Sequence, residues 1–280
     1  MYSTVYSPTA EVSVLRSGCT FEVTTYLLLH YDKILLFGDS ITEQSYEQTR
    51  GFGFGAALAD AYKRRLEVVN RGFSGYNTLH ALDVLPKIIP LPSPSSRIKL
   101  TVVFLGANDA VLPGLPQHVP LDQYSRNLYR ILDHSSLKAH NPEFILVGPA
   151  PICEYDTQEH DSSNKINYVQ RLAAVTKQYS DAALVVGREL GLPTVDLWNA
   201  FINHAGGYEV NKHLPGSKEI PKNQKLSDLF RDGLHFSPQG YKILYECLMD
   251  VIKTDLPQLH PTELDYVFPF WHVAPKAAPE

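Results

Sequence analysis

The sequence predicts an α/β fold in which helices cover both faces of a parallel β-sheet. Three observations predict this fold: five short apolar runs are typical of strands, amphipathic helical patterns separate them, and the two kinds of segment alternate along the chain. Alternating strands and helices form βαβ units, whose crossover connections are right-handed. We therefore expect one three-layer domain built around a five-stranded parallel sheet.

The five candidate strands are continuous or nearly continuous apolar runs. Such runs are typical of parallel strands, because helices bury both of their faces. The runs span residues 33–37, 66–70, 100–105, 144–148 and 193–197. The segment before residue 32 shows no comparable alternation, so the predicted sheet begins with the first of these runs.

Five candidate helices connect or follow these strands. They span residues 52–64, 77–90, 121–139, 165–190 and 238–252. The longest carries apolar residues three or four positions apart, a spacing that places them on one helix face for burial against the sheet. This face consists of Tyr168, Leu172, Val175, Tyr179, Ala182, Val186 and Leu190.

The alternating pattern covers residues 32–254, which we expect to form a single domain. Residues 1–31 are rich in Ser, Thr and Val and are predicted to be a loosely ordered N-terminal extension. Residues 255–280 contain five prolines interleaved with aromatic residues, so we expect an arm that packs on this fold or forms a homodimer. Residues 205–225 are rich in Gly, Lys, Asn and Pro and are predicted to be a surface loop.

Composition and charge exclude several classes of protein. The net charge is −5, and no basic cluster is larger than Lys63-Arg64-Arg65, so a nucleic-acid partner is not expected. No apolar stretch is long enough to span a membrane. Cys19, Cys153 and Cys247 form no C-x-x-C pair, and the histidines show no paired spacing. We therefore expect no disulfide scaffold and no metal, and a reducing, cytoplasmic compartment.

Polar residues gather where the predicted strands end. Gly38-Asp39-Ser40-Ile41-Thr42 follows the first strand, Asn70-Arg71-Gly72 the second, and Gly106-Ala107-Asn108-Asp109 the third. Asp232-Gly233-Leu234-His235 precedes the last helix. Because ligands bind beyond the carboxyl ends of strands in an open parallel sheet, we expect these four segments to converge at one edge.

Each of these residues taken alone has a local explanation. Ser40 is typical of a helix cap, Asn108 and Asp232 of turns, and Gly72 of a position with positive φ. Asp39 and Asp109 are typical of helix starts or turns, and we leave them out of the catalytic set. The local explanations do not account for the convergence of all four segments at one edge, which favours a functional site.

The combined residues are those that ester hydrolysis requires. A serine hydroxyl needs an imidazole to accept its proton, and the imidazole needs a carboxylate to hold its tautomer. Ser40, His235 and Asp232 supply these three groups. The oxyanion of the tetrahedral intermediate needs donors, which we assign to the Ser40 N–H, the Gly72 N–H and the Asn108 side-chain amide.

The four segments together resemble the SGNH (GDSL-type) hydrolase family and, over residues 32–272, its isoamyl acetate-hydrolysing esterases. The resemblance implies a flavodoxin-like α/β/α sandwich, with Ser40 as nucleophile and Asp232 and His235 completing the triad. It implies Gly72 and Asn108 as oxyanion donors, and no metal or organic cofactor. The first thirty or so residues have no counterpart in the family pattern, and the 205–225 loop is longer than in that pattern, so we expect this loop to narrow or reshape the substrate entrance.

Apolar residues near the four segments are the candidate walls of the substrate pocket. They are Tyr46, Phe54, Tyr76, Leu112 and Phe236. Their character favours short-chain, acetate-type esters of small alcohols, cleaved through an acyl-enzyme. Two alternatives remain open: the same chemistry on an acetylated carbohydrate, a thioester or a lysophospholipid, and a non-catalytic protein that uses the same edge for ligand binding or assembly.

Overall fold

The sheet has the predicted architecture. In the computed structural model, which describes residues 30–209 and 212–274, five parallel strands lie in the order β2-β1-β3-β4-β5. They are β1 Lys33–Gly38, β2 Glu67–Gly72, β3 Ile98–Phe104, β4 Glu143–Val147 and β5 Thr194–Val195. This confirms the prediction of an α/β fold around a five-stranded parallel sheet.

Ten α-helices are assigned within the described residues. They are α1 Ser40–Glu43, α2 Phe54–Ala61, α3 Thr78–Ile88, α4 Leu121–Leu132, α5 Ser135–Lys138, α6 Glu154–Ser163, α7 Ala173–Glu189, α8 Leu197–His204, α9 Gln224–Ser227 and α10 Pro238–Asp255. Two short 3₁₀ segments, Gln44–Tyr46 and Pro257–Leu259, follow α1 and α10.

The two faces of the sheet carry separate apolar cores, which makes the molecule three layers thick. Along β1, Ile34 and Leu36 pack into the core beneath α2, α8 and α10, whereas Leu35 and Phe37 pack into the core beneath α3, α4 and α7. Side chains alternate across a strand, so one strand contributes to both cores. Each fully buried Leu, Ile or Phe contributes about 1.5–3 kcal/mol.

The longest predicted helix is wrong in extent, and its predicted buried face is correct only within α7. Residues 165–172 are not helical, and a separate helix, α6, precedes them. Tyr168 and Leu190 are exposed, although we placed them on the buried face. Tyr179 and Val186 are buried as predicted, and the rest of the inward face of α7 consists of small residues that the prediction did not include, namely Ala173, Thr176, Ser180, Ala183 and Gly187. A Cβ on Gly187 would lie 2.2 Å from the Thr194 methyl group, so small residues let α7 approach β5 closely.

Other differences from the prediction also have local causes. The predicted helix over residues 121–139 divides at Asp133 and His134, where the His134 side chain caps α5. The polar sequence of α6 lacks the apolar period by which a helix is recognised. Strand β2 forms the edge of the sheet and is only partly buried, unlike the central strands.

The C-terminal arm packs on the chain itself, beside the turn that follows α2. The Tyr62 hydroxyl donates to the Leu259 carbonyl at 2.8 Å, and the Val267 N–H donates to the Arg64 carbonyl at 2.9 Å. The prediction for residues 1–31 lies outside the described residues, apart from His30 and Tyr31. Within the described ranges, no helix combines the length and the apolar character needed to cross a bilayer.

Candidate active site

Ser40 stands at the carboxyl end of β1, where the strand passes into α1. The Asp39 side chain caps this helix, because its Oδ1 accepts from the Ile41 N–H at 2.9 Å. Gly38 is required before the turn, since a Cβ there would lie 2.5 Å from the Phe104 carbonyl oxygen on β3. The Ser40 side chain borders a cavity, with the residue 7% exposed.

Tertiary packing brings His235 to Ser40 across 195 positions of sequence. The Ser40 Oγ and the His235 Nε2 lie 2.9 Å apart, and the His235 Nδ1 lies 2.7 Å from the Asp232 Oδ2. Helix α10 secures this approach, because the Tyr241 hydroxyl donates to the Ile41 carbonyl at 2.8 Å. A hydroxyl, an imidazole and a carboxylate are thus joined in one hydrogen-bonded chain.

The segment that carries Asp232 and His235 is held by its own hydrogen bonds. The Asp232 Oδ1 accepts from the His235 N–H at 2.7 Å and from the Leu234 N–H at 3.0 Å. The Arg231 N–H donates to the His235 carbonyl at 2.8 Å. These bonds leave the other Asp232 oxygen for the imidazole and fix the position of the ring relative to the backbone.

The environment of Asp232 favours its charged form. Burial acts to raise the pKa of Asp232, but the hydrogen bond and charge of His235 and two backbone N–H donors together lower it well below the ordinary value. An ionised Asp232 accepts the Nδ1–H of His235 and thereby leaves Nε2 free to accept a proton from Ser40. The arrangement can activate the Ser40 hydroxyl as a nucleophile.

Asn108 lies beside Ser40 and presents an amide donor. Its Nδ2 carries two protons, one of which is donated to the Tyr76 carbonyl at 2.9 Å. Asn108 and Ser40 border the same cavity, and Asn108 is 4% exposed. The second Nδ2–H is therefore suited to an oxyanion formed at the substrate carbonyl.

The structure corrects the expectation for Gly72. Its N–H donates to the Asn70 Oδ1 at 2.8 Å, and a Cβ there would lie 2.0 Å from the Glu43 backbone nitrogen. Gly72 therefore packs against α1 and does not border the cavity. Gly75 does border it, with φ +78°, and no hydrogen bond of its N–H is found within the described residues. Gly72 and Gly75 are three positions apart, and the sequence alone does not show which of them borders the cavity.

The candidate pocket walls are likewise corrected. Phe54 and Phe236 are buried in the core, where Phe54 stacks on Tyr241, because α2 and α10 close over the sheet at that point. The Tyr46 hydroxyl donates to the Val68 carbonyl at 3.1 Å, and Tyr76 stacks on Phe73. Leu112 also does not border the cavity next to Ser40. None of the five candidate wall residues therefore lines the cavity.

The cavity beside Ser40 and His235 is lined mainly by polar side chains. It has a volume of about 510 Å³. Its polar lining beyond the hydrogen-bonded chain includes Gln44, Gln117, His160, Asp161, Gln170 and Arg171. Several of these come from α6 and the segment after it, which sequence analysis assigned to no site. No described residue of the 205–225 loop lines this cavity, which corrects the expectation that the loop would shape the entrance.

Two further carboxyl groups are buried near the site. Burial raises the pKa of Asp39 to about 6 and that of Asp109 to about 7. Asp109 accepts from the Thr78 N–H at 3.0 Å and from the Thr78 hydroxyl, so it links α3 to the loop that carries Asn108. Asp39 and Asp109 therefore stabilise the turns that carry Ser40 and Asn108. Among the described residues, no group of three His, Cys, Asp or Glu side chains is placed to hold a metal ion.

The three-layer fold, with Ser40, His235 and Asp232 around one cavity, is that of α/β hydrolases. Comparison with known families places the chain more narrowly, because the GDSL-like Lipase/Acylhydrolase family model matches residues 36–243. The chain therefore belongs to the GDSL-like lipase/acylhydrolase family, and it is an esterase of that family.

Relatives of similar length are esterases by name. The chain is 33% identical over 257 residues to the isoamyl acetate-hydrolyzing esterase 1 homolog of Homo sapiens, covering 90% of this chain and 92% of the relative. It is 34% identical over 252 residues to the isoamyl acetate-hydrolyzing esterase of Saccharomyces cerevisiae, covering 87% of this chain and 95% of that protein. These matches confirm the family resemblance seen in the sequence.

Solved structures support the fold. A lipase/acylhydrolase from Enterococcus faecalis matches with a TM-score of 0.56 and 24% identity, covering 85% of this chain and all of that chain. The acetylxylan esterase Axe2 from Geobacillus stearothermophilus matches with a TM-score of 0.55 and 21% identity, covering 79% and 94%. Both share the architecture described above.

Proposed function

We propose that the protein hydrolyses short-chain, acetate-type esters of small alcohols through a Ser-His-Asp triad and an acyl-enzyme. The observation that carries this proposal is the hydrogen-bonded chain from Ser40 Oγ to His235 Nε2, 2.9 Å, and from His235 Nδ1 to Asp232, 2.7 Å. Such a chain is the requirement for activating a serine hydroxyl. The names of the relatives support an acetate ester as the substrate.

Acylation begins when the Ser40 Oγ attacks the ester carbonyl carbon. The His235 Nε2 takes the hydroxyl proton as the new C–O bond forms, and Asp232 stabilises the resulting imidazolium. The carbonyl oxygen becomes an oxyanion. Collapse of the tetrahedral intermediate breaks the bond to the alcohol oxygen, which leaves with the proton from His235. Ser40 then carries the acyl group.

Deacylation repeats the sequence with water as the nucleophile. His235 takes a proton from water as the oxygen attacks the acyl carbonyl, and returns it to the Ser40 Oγ as the acid leaves. In both steps we assign the oxyanion to the Ser40 N–H, the Gly75 N–H and the second Nδ2–H of Asn108. Each such donor typically lowers the barrier by about 2.7–4 kcal/mol.

The polar cavity favours a second candidate for the alcohol part of the substrate. Side chains such as Gln44, His160 and Gln170 offer hydrogen-bonding groups at the cavity wall. A hydroxyl-bearing alcohol, as in an acetylated carbohydrate, would use them, whereas a branched alkyl alcohol would not. The thioester and lysophospholipid alternatives keep the same chemistry. Membership of an esterase family weighs against the non-catalytic alternative.

The compartment is proposed from the cysteines. Cys153 and Cys247 are free thiols, and burial raises the pKa of Cys153 to about 11. Unpaired, unreactive thiols are typical of proteins in a reducing compartment, so the structure supports the proposed cytoplasmic location.

The nucleophile is tested with Ser40→Ala. We expect hydrolysis of p-nitrophenyl acetate to fall by about 10³-fold or more, because no other hydroxyl replaces the attacking oxygen. Circular dichroism and the melting temperature should match those of the wild type. Ser135→Ala, at an exposed position on α5, is the matched control and should keep full activity. Undiminished hydrolysis by Ser40→Ala would overturn the proposal.

The substrate class is tested on the wild-type enzyme in the same experiment. Values of kcat/KM are compared for isoamyl acetate, glycerol acetates, an acetylated xylooligosaccharide, p-nitrophenyl octanoate, acetyl-CoA and a lysophosphatidylcholine. The proposal expects acetate to exceed octanoate. Preference for the acetylated polyols over isoamyl acetate would support the second candidate, and preference for octanoate or the lysophospholipid would exclude a short-acyl enzyme.

A further inference from the structure

Arg171 contacts the site although it belongs to none of the four sequence segments. It lies between α6 and α7, and its guanidinium borders the cavity beside Ser40. Its Nη2 donates to the Asn108 Oδ1 at 3.2 Å, and its Nε donates to the Ala107 carbonyl at 3.3 Å. One side chain thus binds both the backbone and the side chain of the segment that supplies an oxyanion donor.

A second donor reaches the same amide oxygen. The Gln117 Nε2 lies 3.3 Å from the Asn108 Oδ1 and 2.8 Å from the Gly75 carbonyl oxygen. Asn108 Oδ1 therefore accepts from two side chains, one of them charged. Hydrogen bonds to charged groups are stronger than those between neutral groups.

These contacts determine which way the Asn108 amide faces. If the amide turned over, its N–H₂ group would meet the Arg171 and Gln117 donors, and its oxygen would meet the Tyr76 carbonyl oxygen that now accepts from Nδ2. Arg171 can only donate, so it opposes this orientation in every protonation state available to it near neutral pH. The observed orientation keeps Nδ2 as the donor toward the cavity.

Arg171 is buried near three carboxyl groups. Burial lowers the pKa of Arg171, and the nearby charges of Asp161, Asp39 and Asp232 act in the opposite direction. The segment around it is also tied in place, because the Gln170 carbonyl accepts from the Leu112 N–H at 2.9 Å and the Gln170 side chain donates to Asp161 at 2.8 Å. A guanidinium held among carboxylates is poorly suited to capturing an anionic substrate.

We propose that Arg171 is a positioning residue for catalysis, which holds the Asn108 amide with its N–H toward the oxyanion. This inference rests on the proposed Ser40 mechanism and assigns a role to a residue outside the family segments. Because the interaction matters only when negative charge develops on the substrate oxygen, Arg171 acts on the chemical step and not on ground-state binding.

The test compares Arg171→Met with Arg171→Lys on the full chain. Removing an oxyanion donor typically costs about 10²–10³-fold in kcat, so loss of its orientation in Arg171→Met is expected to cost about 10- to 100-fold. KM should change by less than about threefold, since ground-state binding is retained. Arg171→Lys should recover part of the loss by donating one hydrogen bond to Oδ1. Arg188→Met, at an exposed position on α7, is the control.

A double-substitution cycle identifies the route of the effect. In an Asn108→Ala background, Arg171→Met should lower kcat by no more than about twofold, because the group on which Arg171 acts is gone. If the two substitutions reduce kcat independently, so that their fold losses multiply in the double variant, the proposal is overturned. A shift of the pH profile of kcat/KM in Arg171→Met would also overturn it, because such a shift would indicate a direct charge effect on His235. Equal activity of Arg171→Met and the wild type would also overturn it.

The two proposals fail in different ways. If the mechanism through Ser40 is wrong, Ser40→Ala retains activity whatever Arg171 does. If only the role of Arg171 is wrong, Ser40→Ala is inactive and the Arg171 variants fail the cycle above. Melting temperatures of all variants are compared, and rates are normalised to the folded fraction. Arg171→Lys supplies a second variant at the same position if Arg171→Met does not fold.

Discussion

Three aspartates in and around this site have pKa values shifted in opposite directions. Asp232 is surrounded by donors, and its pKa is lowered, so it stays charged and orients His235. Asp39 and Asp109 are almost fully buried, and burial raises the pKa of each. The Asp39 Oδ2 has no hydrogen-bond partner among the described residues. The environment of each carboxyl group, and not the residue type, therefore separates Asp232, which the proposed mechanism uses, from Asp39 and Asp109.

We predict that Asp109→Asn reduces the pH dependence of stability. The pKa of Asp109 is about 7 in the folded chain, above the ordinary 3.8, so the folded state binds the proton more tightly between these values. The free energy of unfolding therefore falls as pH rises from about 4 to about 7, by an amount on the order of a few kcal/mol. An asparagine keeps an Oδ1 acceptor for Thr78 and carries no charge.

Urea unfolding at pH 5 and pH 8 measures this effect. Asp109→Asn should lose less stability between the two values than the wild type does. Asp60→Asn is the control, because the Asp60 side chain is largely exposed, and its pH dependence should equal that of the wild type. An unchanged pH dependence in Asp109→Asn would contradict the prediction. Asp232 has the opposite pH dependence. Because its pKa is lowered in the folded state, Asp232 stabilises the fold above about pH 4, and this stabilisation is lost only as the pH falls below that value.

At the scale of elements, one buried carboxylate joins three segments around the cavity. Glu154 begins α6, and its Oε1 accepts from the Ala173 N–H at the start of α7 at 2.7 Å. Its Oε2 accepts from the Lys218 N–H at 3.0 Å, and its own N–H donates to the Gly216 carbonyl at 2.8 Å. A carboxylate at a helix N-terminus is favourable because backbone donors there are unpaired. Glu154 thereby fixes the helix that carries one wall of the cavity.

We predict that Glu154→Ala lowers the free energy of unfolding by roughly 2–4 kcal/mol, because the buried Ala173 N–H and the partly buried Lys218 N–H lose a charged acceptor. Glu154→Gln, which keeps one acceptor oxygen, should lose less. Glu159→Ala, at an exposed position on the same helix, should lose little. Denaturant unfolding measures all three. Equal effects of Glu154→Ala and Glu159→Ala would show that the bridge contributes nothing.

At the scale of the whole molecule, the site and the C-terminal arm lie at opposite ends of the strands. Ser40 follows the carboxyl end of β1, whereas Arg64 and Arg65 precede the start of β2. Both guanidinium groups lie over the Tyr266 ring, at 4.4 and 4.2 Å from its centre. Arg65 also donates to the Leu264 carbonyl at 3.0 Å. The arm therefore stabilises the fold from a position remote from the reacting groups.

We predict that a chain ending at residue 263 is less stable but equally active when folded. Loss of three cation–π contacts, each worth about 0.5–1 kcal/mol, together with the backbone hydrogen bonds of the arm, should lower the melting temperature. The value of kcat/KM per folded molecule should stay within about twofold of that of the full chain. A large loss of activity without unfolding would place the arm at the site. Sedimentation of both chains tests the homodimer, which stays a prediction.

The sequence by itself determined the fold class, and it supplied the residues to which the proposed mechanism assigns the reaction. Apolar runs alternating with helical patterns specify a parallel sheet, because both faces of each strand must be buried. Ser40, Asn108, Asp232 and His235 were recognisable because they follow strands or precede a helix at one edge, and the structure places all four around one cavity. Local patterns and topology suffice for these inferences.

Only the tertiary structure decided which neighbouring residues share the cavity. Gly75 borders the cavity and Gly72 does not, and the N–H of Gly72 donates to the nearby Asn70 side chain, a contact that spacing along the chain does not reveal. Phe54 and Phe236 turned into the core, and Arg171 reached Asn108 across 63 positions. Side-chain direction and long-range hydrogen bonds depend on how α6, α7 and α10 pack on the sheet. Periodicity in the sequence reports which face of an element is buried, but not which side chains from different elements meet.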